Sequence, residues 1–244
     1  MSTLRNQRVV VIGGTSGIGF AVAHGAVADG ATVIVGSSNA ANVEKAVARL
    51  GSGTSGSAID VKNEVSVAAF FERAGSFDHL VYTAGDWAPL RGGAGTVAHL
   101  DLAAANAVFA VRFWGALAAI KHAQGRISKN GSVTITDGVV AHRPRKGAAI
   151  NTAMAGAVEH LTRALAVDLA PLRVNAVCPG YVLTEVWNSI PEDQRAEQLK
   201  RMTERLPLSR AGLPSEVAQA YLYLMRGEYS TGQVLVVDGG MTLI

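Results

Sequence analysis

The stretch RVVVIGGTSGIG, residues 8–19, decides the fold of this 244-residue chain. Its first five residues, Arg8–Ile12, form a β-branched run that stops at glycines, which is typical of a buried strand. Glycines follow at positions 13, 17 and 19, a G-x-x-x-G-x-G spacing, and Ile18 opens a segment with helical periodicity. A strand, a glycine turn and a helix in this order predict a site that binds a dinucleotide.

The glycines have separate physical roles in such a turn. The first permits the tight bend, the next lets the backbone approach a pyrophosphate, and the last allows close helix packing. The helix N-terminus then offers unpaired N–H groups and a positive dipole end to the phosphates. The alternative is a glycine-rich turn without a ligand, but the flanking strand and helix favour a binding site. The residues expected to bind cofactor here are Gly13, Thr15, Ser16, Gly17, Ile18 and Gly19.

The rest of the chain alternates apolar strands with helices, the pattern of a parallel sheet covered on both faces. The predicted strands are Arg8–Ile12, Thr32–Val35, Ala58–Val61, His79–Thr83, Ser132–Thr136, Arg173–Val177 and Leu235–Val237. The predicted helices are Ile18–Ala28, Asn42–Leu50, Val65–Ala74, Asp101–Phe109, Ala116–Gln124 and Ala149–Leu169, and Gly51–Ser57 is expected to be a Gly/Ser-rich loop. No repeat or linker divides the chain, so residues 1–244 are expected to form one doubly wound α/β domain, a Rossmann fold.

Composition narrows the class of protein. Hydrophobic residues make up 49% of the chain and charged residues 17%, which suits a sizeable core and excludes a disordered chain. The net charge of +3 is small, and the basic group from His142 to Lys146 fits a solvated loop, so no nucleic-acid partner is expected. Residues 1–8 lack the apolar stretch of a signal peptide, and no apolar run approaches the roughly 20 residues that span a bilayer. A soluble, cytoplasmic protein without a membrane partner is expected.

Cys178 is the only cysteine. A single cysteine excludes an intramolecular disulfide or a zinc site built from several cysteines, and no metal site is predicted. Its surroundings, Val-Asn-Ala-Val-Cys-Pro-Gly, favour a small buried thiol over a nucleophile.

The glycine spacing is the form used by short-chain dehydrogenases/reductases, and the chain resembles that family along nearly its whole length. Asp60 and Val61 match the pair whose Asp meets the adenine. Thr83, Ala84 and Gly85 match most of the family's Asn-Asn-Ala-Gly turn, with Tyr82 and Thr83 in place of the two Asn. The matches toward the C-terminus are Arg173-Val174-Asn175, Pro179 and Gly180, Thr184, Thr231-Gly232-Gln233 and Val237-Asp238-Gly239-Gly240. The resemblance implies a seven-stranded parallel sheet, a nicotinamide cofactor, a small-molecule substrate and a homotetramer or homodimer.

The end of the second predicted strand bears on the choice of cofactor. NAD enzymes of this fold usually place an acidic residue there, on the ribose 2′-OH. Here Ser37, Ser38 and Asn39 stand at that corner, and their hydroxyl and amide groups can donate hydrogen bonds to a 2′-phosphate. NADP(H) is therefore favoured, with NAD(H) as the alternative.

The catalytic positions depart from the family. Short-chain dehydrogenases use Ser, Tyr and Lys with a supporting Asn, and the Tyr and Lys stand four apart on one helix face. Counting from both sides of that helix places Gly138, Asn151 and Ala155 at the Ser, Tyr and Lys positions. No Tyr-x-x-x-Lys occurs anywhere in the chain, so the loss does not depend on the alignment. Asn106 is expected at the position of the supporting Asn, as a relic or as a polar residue in a kinked helix.

Few residues are available to replace the lost groups. Asp137, His142, Lys146 and Tyr181 are the catalytic candidates, and the alternative for each is a loop or rim residue. The segments Asp86–Thr96 and Val186–Pro207 are expected to form the wall and lid of the pocket. Within them and close by, Trp87, Trp187 and Met202 suggest an apolar ligand.

Three functions therefore remain open. The first is an NADP(H)-dependent oxidoreductase with non-standard catalytic residues, acting on a small carbonyl or alcohol. The second is a pseudoenzyme or redox sensor that binds the dinucleotide and acts through its oligomer or a partner. The third is a non-redox isomerase or dehydratase in the same pocket. Because hydride exchange needs only a cofactor and a positioned substrate, the first is preferred.

Overall fold

The computed structural model describes residues 3–86 and 96–244, which build one parallel sheet covered by helices on both faces. Within these residues the sheet has seven strands in the order β3-β2-β1-β4-β5-β6-β7, and every neighbouring pair is parallel. The strands are β1 (Arg8–Ile12), β2 (Thr32–Ser37), β3 (Thr54–Ala58), β4 (Phe77–Tyr82), β5 (Ile127–Thr136), β6 (Arg173–Pro179) and β7 (Val234–Val237). The predicted Rossmann-like architecture is confirmed.

The helices of the described ranges bury two hydrophobic cores against this sheet. They are α1 (Gly17–Ala28), α2 (Ala40–Leu50), α3 (Glu64–Ala74), α4 (Leu102–Phe109), α5 (Ala116–Ala123), α6 (Ala149–Asp168), α7 (Glu192–Thr203) and α8 (Pro214–Arg226). One core lies under α3, α5 and α6, and the other under α1, α2 and α8. Alternate residues of β1 enter opposite cores, which is why its sequence is continuously apolar.

The third strand differs from the prediction. The Gly/Ser-rich segment expected as a loop is β3 itself, paired with β2 from Val33↔Thr54 to Ser37↔Ala58. β3 is an edge strand with mostly exposed side chains, so it needs no apolar run. The segment predicted as the strand instead begins the loop that follows, and this loop carries Asp60 and Val61.

The helices α7 and α8 were not predicted. α8 starts with a proline at its first position, which is a favourable place for that residue. At its other end the Arg173 guanidinium donates to the carbonyl oxygens of Leu224 (2.7 Å) and Met225 (3.1 Å), which have no helical partner. The last turn of α8 is thereby fixed to β6.

The segments α4 and α5 are joined by a π-helical turn, Ala110–Gly115, into one continuous helix. This helix, Leu102–Ala123, has 22 residues and a mean hydropathy of 1.5, so by length and composition alone it passes the test for a membrane span. The prediction that no apolar run approaches that length is wrong on this measure. A core helix passes the same test, and the buried residues Ala116, Ala119 and Ile120 of this helix belong to the core beside α3 and α6.

Candidate active site

A cavity of about 1120 Å³ opens at the carboxyl ends of the strands. It lies over β1 and β4, where the strand order reverses direction from β2 and β3 to β5, β6 and β7. Open parallel sheets bind their ligands at this switch point because the loops after the two central strands diverge there.

The glycine turn forms one wall of the cavity. Gly13 has φ +85° and Gly17 has φ +50°, a left-handed conformation that favours glycine. A Cβ on Gly13 would stand 2.6 Å from the backbone nitrogen of Ala84, and a Cβ on Gly19 would stand 2.2 Å from the carbonyl oxygen of Gly13. The turn therefore packs backbone against backbone and leaves its outer side to the cavity.

The N-terminus of α1 faces the same space. Ser16 is the N-cap residue, and its side chain makes no capping hydrogen bond. The first N–H groups of α1 are thus available to an anion, and the dipole of the helix favours one. Together with the glycine cradle, this arrangement fits the pyrophosphate of a dinucleotide.

The residues predicted to hold the cofactor are brought together, with one exception. Those that line the cavity are Gly13, Thr15, Ser16, Gly17, Ile18, Gly19, Ser37, Ser38, Asp60, Val61, Thr83, Ala84, Gly85, Pro179, Gly180 and Thr184. Asn39 does not line it: its side chain accepts a hydrogen bond from the backbone nitrogen of Asn42 (3.0 Å) and caps α2. Asn39 follows the β2 corner but is used to start a helix.

The three altered catalytic positions lie at the other end of the same cavity. Gly138, Asn151 and Ala155 all line it, as the resemblance implied for the Ser, Tyr and Lys positions. A Cβ on Gly138 would meet only a guanidinium nitrogen of Arg112, at 3.9 Å. The backbone of this region therefore leaves room for a side chain that the sequence does not supply.

Arg112 is the charged side chain at this end that the sequence analysis missed. Its Nη1 donates to the backbone carbonyl of Asp137 (3.1 Å), next to Gly138. On the other side, a Cβ on Gly85 would stand 3.1 Å from both Nε and Nη2. Burial lowers the pKa of the guanidinium, yet an arginine remains a cation in proteins. A fixed cationic hydrogen-bond donor thus lies beside the position where the family has its Ser.

The π-helical turn brings Arg112 to this place. Tyr82, at the end of β4, donates its hydroxyl to the carbonyl oxygen of Val111 (2.5 Å), inside the turn. Burial raises the pKa of the Tyr82 phenol, so the hydroxyl stays neutral and acts as a donor. The structure therefore gives a role to a residue that had only been noted as a replacement for Asn.

Asn106 does not reach the cavity. It is exposed on α4, one and a half turns before Arg112, and it is not among the lining residues. This helix enters the site with Val111 and Arg112, while Asn106, expected either as a relic of the supporting Asn or as a polar residue in a kinked helix, lies outside the lining. The π-helical turn changes the direction of the side chains that follow it, and a sequence pattern alone does not reveal such a turn.

Asp137 lines the cavity, and its carboxyl group is buried. The residue is 1% exposed, and both carboxyl oxygens are buried. Burial, and then the nearby Glu159 carboxyl, raise the pKa of Asp137 to about 8. Cys178 lies against the same carboxyl, and burial together with Asp137 raises the pKa of its thiol. The predicted buried, inert thiol agrees with this position.

Of the other catalytic candidates, one lines the cavity and two do not. Tyr181 lines the cavity beside Gly180. His142 does not line it, and its Nε2 lies 2.6 Å from Oε1 of Glu159 on α6. Lys146 is exposed and also does not line it. His142 and Lys146 are therefore not brought into the cavity lining.

Comparison with known proteins now decides the family. A family model described as enoyl-(acyl carrier protein) reductase matches residues 13–242. Short-chain dehydrogenase/reductase ATR9 of Stachybotrys chlorohalonatus is 34% identical over 258 aligned positions, covering 100% of both chains. The chain is a short-chain dehydrogenase/reductase. It is therefore an oxidoreductase of a family that binds NAD(P) and small-molecule substrates.

Solved structures agree with this assignment. The MalC reductase/Diels-Alderase of Malbranchea aurantiaca has a TM-score of 0.90 and 32% identity, covering 99% of this chain and 98% of that one. A small-chain dehydrogenase in complex with NADPH has a TM-score of 0.83 and 35% identity, covering 98% and 100%. These likenesses extend over both ends of the cavity.

The lid of this short-chain dehydrogenase/reductase follows β6. Val186, Trp187, Ile190 and Met202 line the cavity from the segment predicted as the lid, which contains α7. The Trp187 indole donates to the carbonyl oxygen of Val182 (2.7 Å), which fixes its ring at the rim. Of the predicted wall, Trp87 and residues 88–95 lie outside the described residues, while Asp86 lines the cavity.

Proposed function

We propose that this enzyme is an NADP(H)-dependent oxidoreductase in which Arg112 binds the reacting oxygen of the substrate in place of the family's Ser, Tyr and Lys. The observation that carries the proposal is the position of the Arg112 guanidinium between Gly85 and Gly138, within the cavity that the glycine turn also lines. Its Nη1 lies 3.9 Å from the position that a Cβ on Gly138 would take, so it is a cationic donor beside that residue.

The nicotinamide, Arg112 and water each have a separate role in the proposed reaction. When bound, the nicotinamide supplies or accepts the hydride. Arg112 donates hydrogen bonds to the substrate oxygen and stabilises the negative charge that develops there as a carbonyl becomes an alkoxide. The alkoxide then takes its proton from water in the open cavity, because the amide of Asn151 and the methyl of Ala155 have no proton of suitable acidity to give.

The corner at the end of β2 supports NADP(H) as the partner. Ser37 and Ser38 line the cavity there, and no carboxylate of β2 faces it. Lys62 also lines the cavity, beside Asp60. A 2′-phosphate at this corner would meet hydroxyl donors and a cation rather than the acidic residue that an NAD enzyme presents.

The lid supports a small carbonyl compound or alcohol with an apolar body as substrate. Val186, Trp187, Ile190 and Met202 form an apolar wall, and Arg112 gives one fixed polar contact. Pockets that combine an apolar lining with few polar groups orient ligands of this type.

Residues 1–244 are proposed to work as one dinucleotide-binding unit, assembled as a homotetramer or homodimer in the cytoplasm, as the family resemblance implies. Size-exclusion chromatography with light scattering measures the assembly: a monomer at micromolar concentration contradicts this part.

The proposal is tested by following NADPH absorbance with a panel of apolar aldehydes, ketones and secondary alcohols. Replacing Arg112→Gln removes the charge from the site and is expected to reduce kcat by about 10²–10³-fold, the usual effect of losing an oxyanion donor. NADPH affinity should remain unchanged. The matched control is Arg143→Gln, an exposed arginine outside the cavity lining, which should retain full turnover.

Two outcomes overturn the proposal in favour of the alternatives. If NADPH raises the melting temperature but no panel member is turned over, the dinucleotide is a structural or sensory ligand. If product forms without net oxidation of NADPH, the pocket performs an isomerisation or dehydration. Turnover that survives Arg112→Gln overturns the role of Arg112 alone.

A further inference from the structure

Four potential metal ligands converge behind the catalytic end of the cavity. They come from the end of β5, the following loop, α6 and β6: Asp137, His142, Glu159 and Cys178. One ligand atom from each lies within 4.8 Å of every other. Asp137, Glu159 and Cys178 are buried, while the His142 side chain is 37% exposed and forms the only route from solvent among the four.

The cluster is separate from the cavity. Of its members, only Asp137 is a lining residue, and both of its carboxyl oxygens are buried. Glu159 lies on α6 and Cys178 near the end of β6, while His142 is the exposed member of the cluster. A ligand held by all four would therefore not touch a substrate.

Two carboxyl groups buried side by side are electrostatically unfavourable if both are ionised. Asp137 is 1% exposed and Glu159 6%, and they lie against each other. Neither oxygen of the Asp137 carboxyl accepts a hydrogen bond from an N–H or O–H group among the described residues. Buried like charges at this separation require a compensating proton or cation, since desolvation costs several kcal/mol per ion.

The neighbouring arginines compensate only the edges of the cluster. Arg163 reaches the outer oxygen of Glu159, with Nη2 3.5 Å from Oε2. Arg112 donates to the backbone carbonyl of Asp137 rather than to its carboxyl. The groups that face one another between these arginines are two carboxyl groups, an imidazole and a thiol, each of which can bind a metal ion.

We propose that this cluster binds one Zn²⁺ ion as a closed structural site with Asp137, His142, Glu159 and Cys178 as its four ligands. One thiolate, one imidazole and two carboxylates match the ligands and the coordination number that zinc prefers. Magnesium and calcium are disfavoured because they require six or more oxygen ligands. The ion would replace the proton of the thiol and compensate the two carboxylates.

The geometry requires a modest contraction. Ligand atoms around a tetrahedral zinc ion stand about 3.3–3.5 Å apart, given zinc–ligand distances near 2.0–2.3 Å. The widest separation in the cluster, up to 4.8 Å, must shorten, and the 2.6 Å contact between His142 and Glu159 must open. The second adjustment involves His142, which is carried by a surface loop and is the most exposed of the four.

The ion would stabilise the backbone on which the catalytic end depends. It would link the loop after β5 to α6 and β6, and that loop contains Gly138 and the Asp137 carbonyl that holds Arg112. The proposed site is independent of NADP(H) and of the role given to Arg112.

The test uses the full chain, stripped of metal with a chelator and titrated with Co²⁺ as a spectroscopic probe. We expect one equivalent to bind, with the visible bands of tetrahedral cobalt and a thiolate charge-transfer band. Zn²⁺ should displace the cobalt and raise the melting temperature of the stripped protein.

Variants separate this site from binding elsewhere. Cys178→Ser should abolish the charge-transfer band, and His142→Ala should weaken Co²⁺ binding by about tenfold or more, at least as much as losing an outer-shell partner. His160→Ala is the matched control: His160 follows Glu159 on α6, is exposed and donates to the Gly156 carbonyl of its own helix (3.0 Å), so binding should be unchanged.

Two results overturn the proposal, and both are obtained even if a variant fails to fold. The first is unmodified protein that shows no cobalt spectrum and no stabilisation by Zn²⁺, in which case the carboxyl groups share a proton. The second is an octahedral cobalt spectrum without a thiolate band, which indicates adventitious binding to surface groups.

Discussion

The two ends of the cavity show opposite relations between backbone and side chains. At the dinucleotide end, the glycine turn packs so closely that a single added carbon would overlap backbone atoms, and the residues match the family. At the other end the cavity is lined by Gly138, Asn151 and Ala155, which stand where the resemblance expects Ser, Tyr and Lys. The comparison teaches that the backbone can form the same cavity while the side chains at one of its ends differ from the expected pattern.

The largest effect is expected from Gly19→Ala. The new Cβ would stand 2.2 Å from the Gly13 carbonyl oxygen and 2.3 Å from the Thr83 hydroxyl, so the turn must open. NADPH binding, measured by fluorescence titration, should be lost by at least about 10²-fold, since the phosphate cradle is displaced. Gly156→Ala is the control: nothing lies within 4 Å of that Cβ position on α6, and binding should be unchanged. If Gly19→Ala bound NADPH with unchanged affinity, the close backbone packing that distinguishes the dinucleotide end from the other end would not matter for binding.

The next effect is a gain of activity at the catalytic end. If the backbone there is retained, then Gly138→Ser, Asn151→Tyr and Ala155→Lys, combined with Arg112→Asn, should restore the family's set of groups. Oxidation of simple secondary alcohols with NADP⁺, followed at 340 nm, should rise by about 10²-fold, the lower range for a general acid–base residue.

A control for this gain uses Asn151→Phe in place of Asn151→Tyr, which supplies the ring without the hydroxyl and should gain nothing. A four-residue variant that folds and binds NADPH, yet remains no better than the starting chain, would show that the backbone at this end has moved.

A smaller effect is expected from Tyr82→Phe, which removes the hydrogen bond to Val111 in the π-helical turn. The buried carbonyl loses its donor, at a cost of about 1–3 kcal/mol, and Arg112 loses support. We expect kcat to fall about tenfold while NADPH affinity is kept, since positioning errors slow the reaction without touching the cofactor.

Tyr221→Phe is the matched control for this variant. Tyr221 is equally buried and also lies near Arg112, but its hydroxyl bonds to Thr136 (2.7 Å) and not to the π-helical turn. This control should lose similar stability in thermal unfolding and keep kcat within about twofold, because Arg112 is not displaced. Equal loss of kcat in both variants would reduce the role of Tyr82 to general stability.

The smallest effect concerns the adenosine corner. Ser38→Asp places a carboxylate in the cavity lining, where it repels a 2′-phosphate. The ratio of kcat/KM for NADPH to that for NADH should fall by about tenfold, or about 1.4 kcal/mol. Asn39→Asp adds the same charge one residue later, on a side chain that caps α2 outside the cavity, and should change the ratio much less.

The sequence predicted those features that depend on local backbone geometry. Arg8–Ile12 was predicted as a strand with its observed bounds, and the cofactor residues line one cavity, because glycine spacing and continuous apolar runs record backbone constraints directly. The edge strand β3 was missed because a strand with one exposed face and one partner has little need of apolar residues.

The catalytic end could not be predicted in the same way. Arg112 interrupts an apolar helix, and that lone charge was the available signal, but its direction depends on the π-helical turn and on Tyr82. Glu159 and Cys178 join Asp137 only through the order of the strands and the packing of α6, so their proximity leaves no local pattern.

The extra width of the turn at Ala110–Gly115 makes this enzyme sensitive to the deletion of a single residue. Each residue advances an α-helix by about 100°. Deleting one residue just before Arg112 would let the wide turn relax into ordinary α-helix and swing the guanidinium about a quarter of a revolution out of the pocket. The two ends of the long helix would keep their packing. The loss of three bases in the gene could therefore inactivate the enzyme and leave a folded protein that still binds its cofactor.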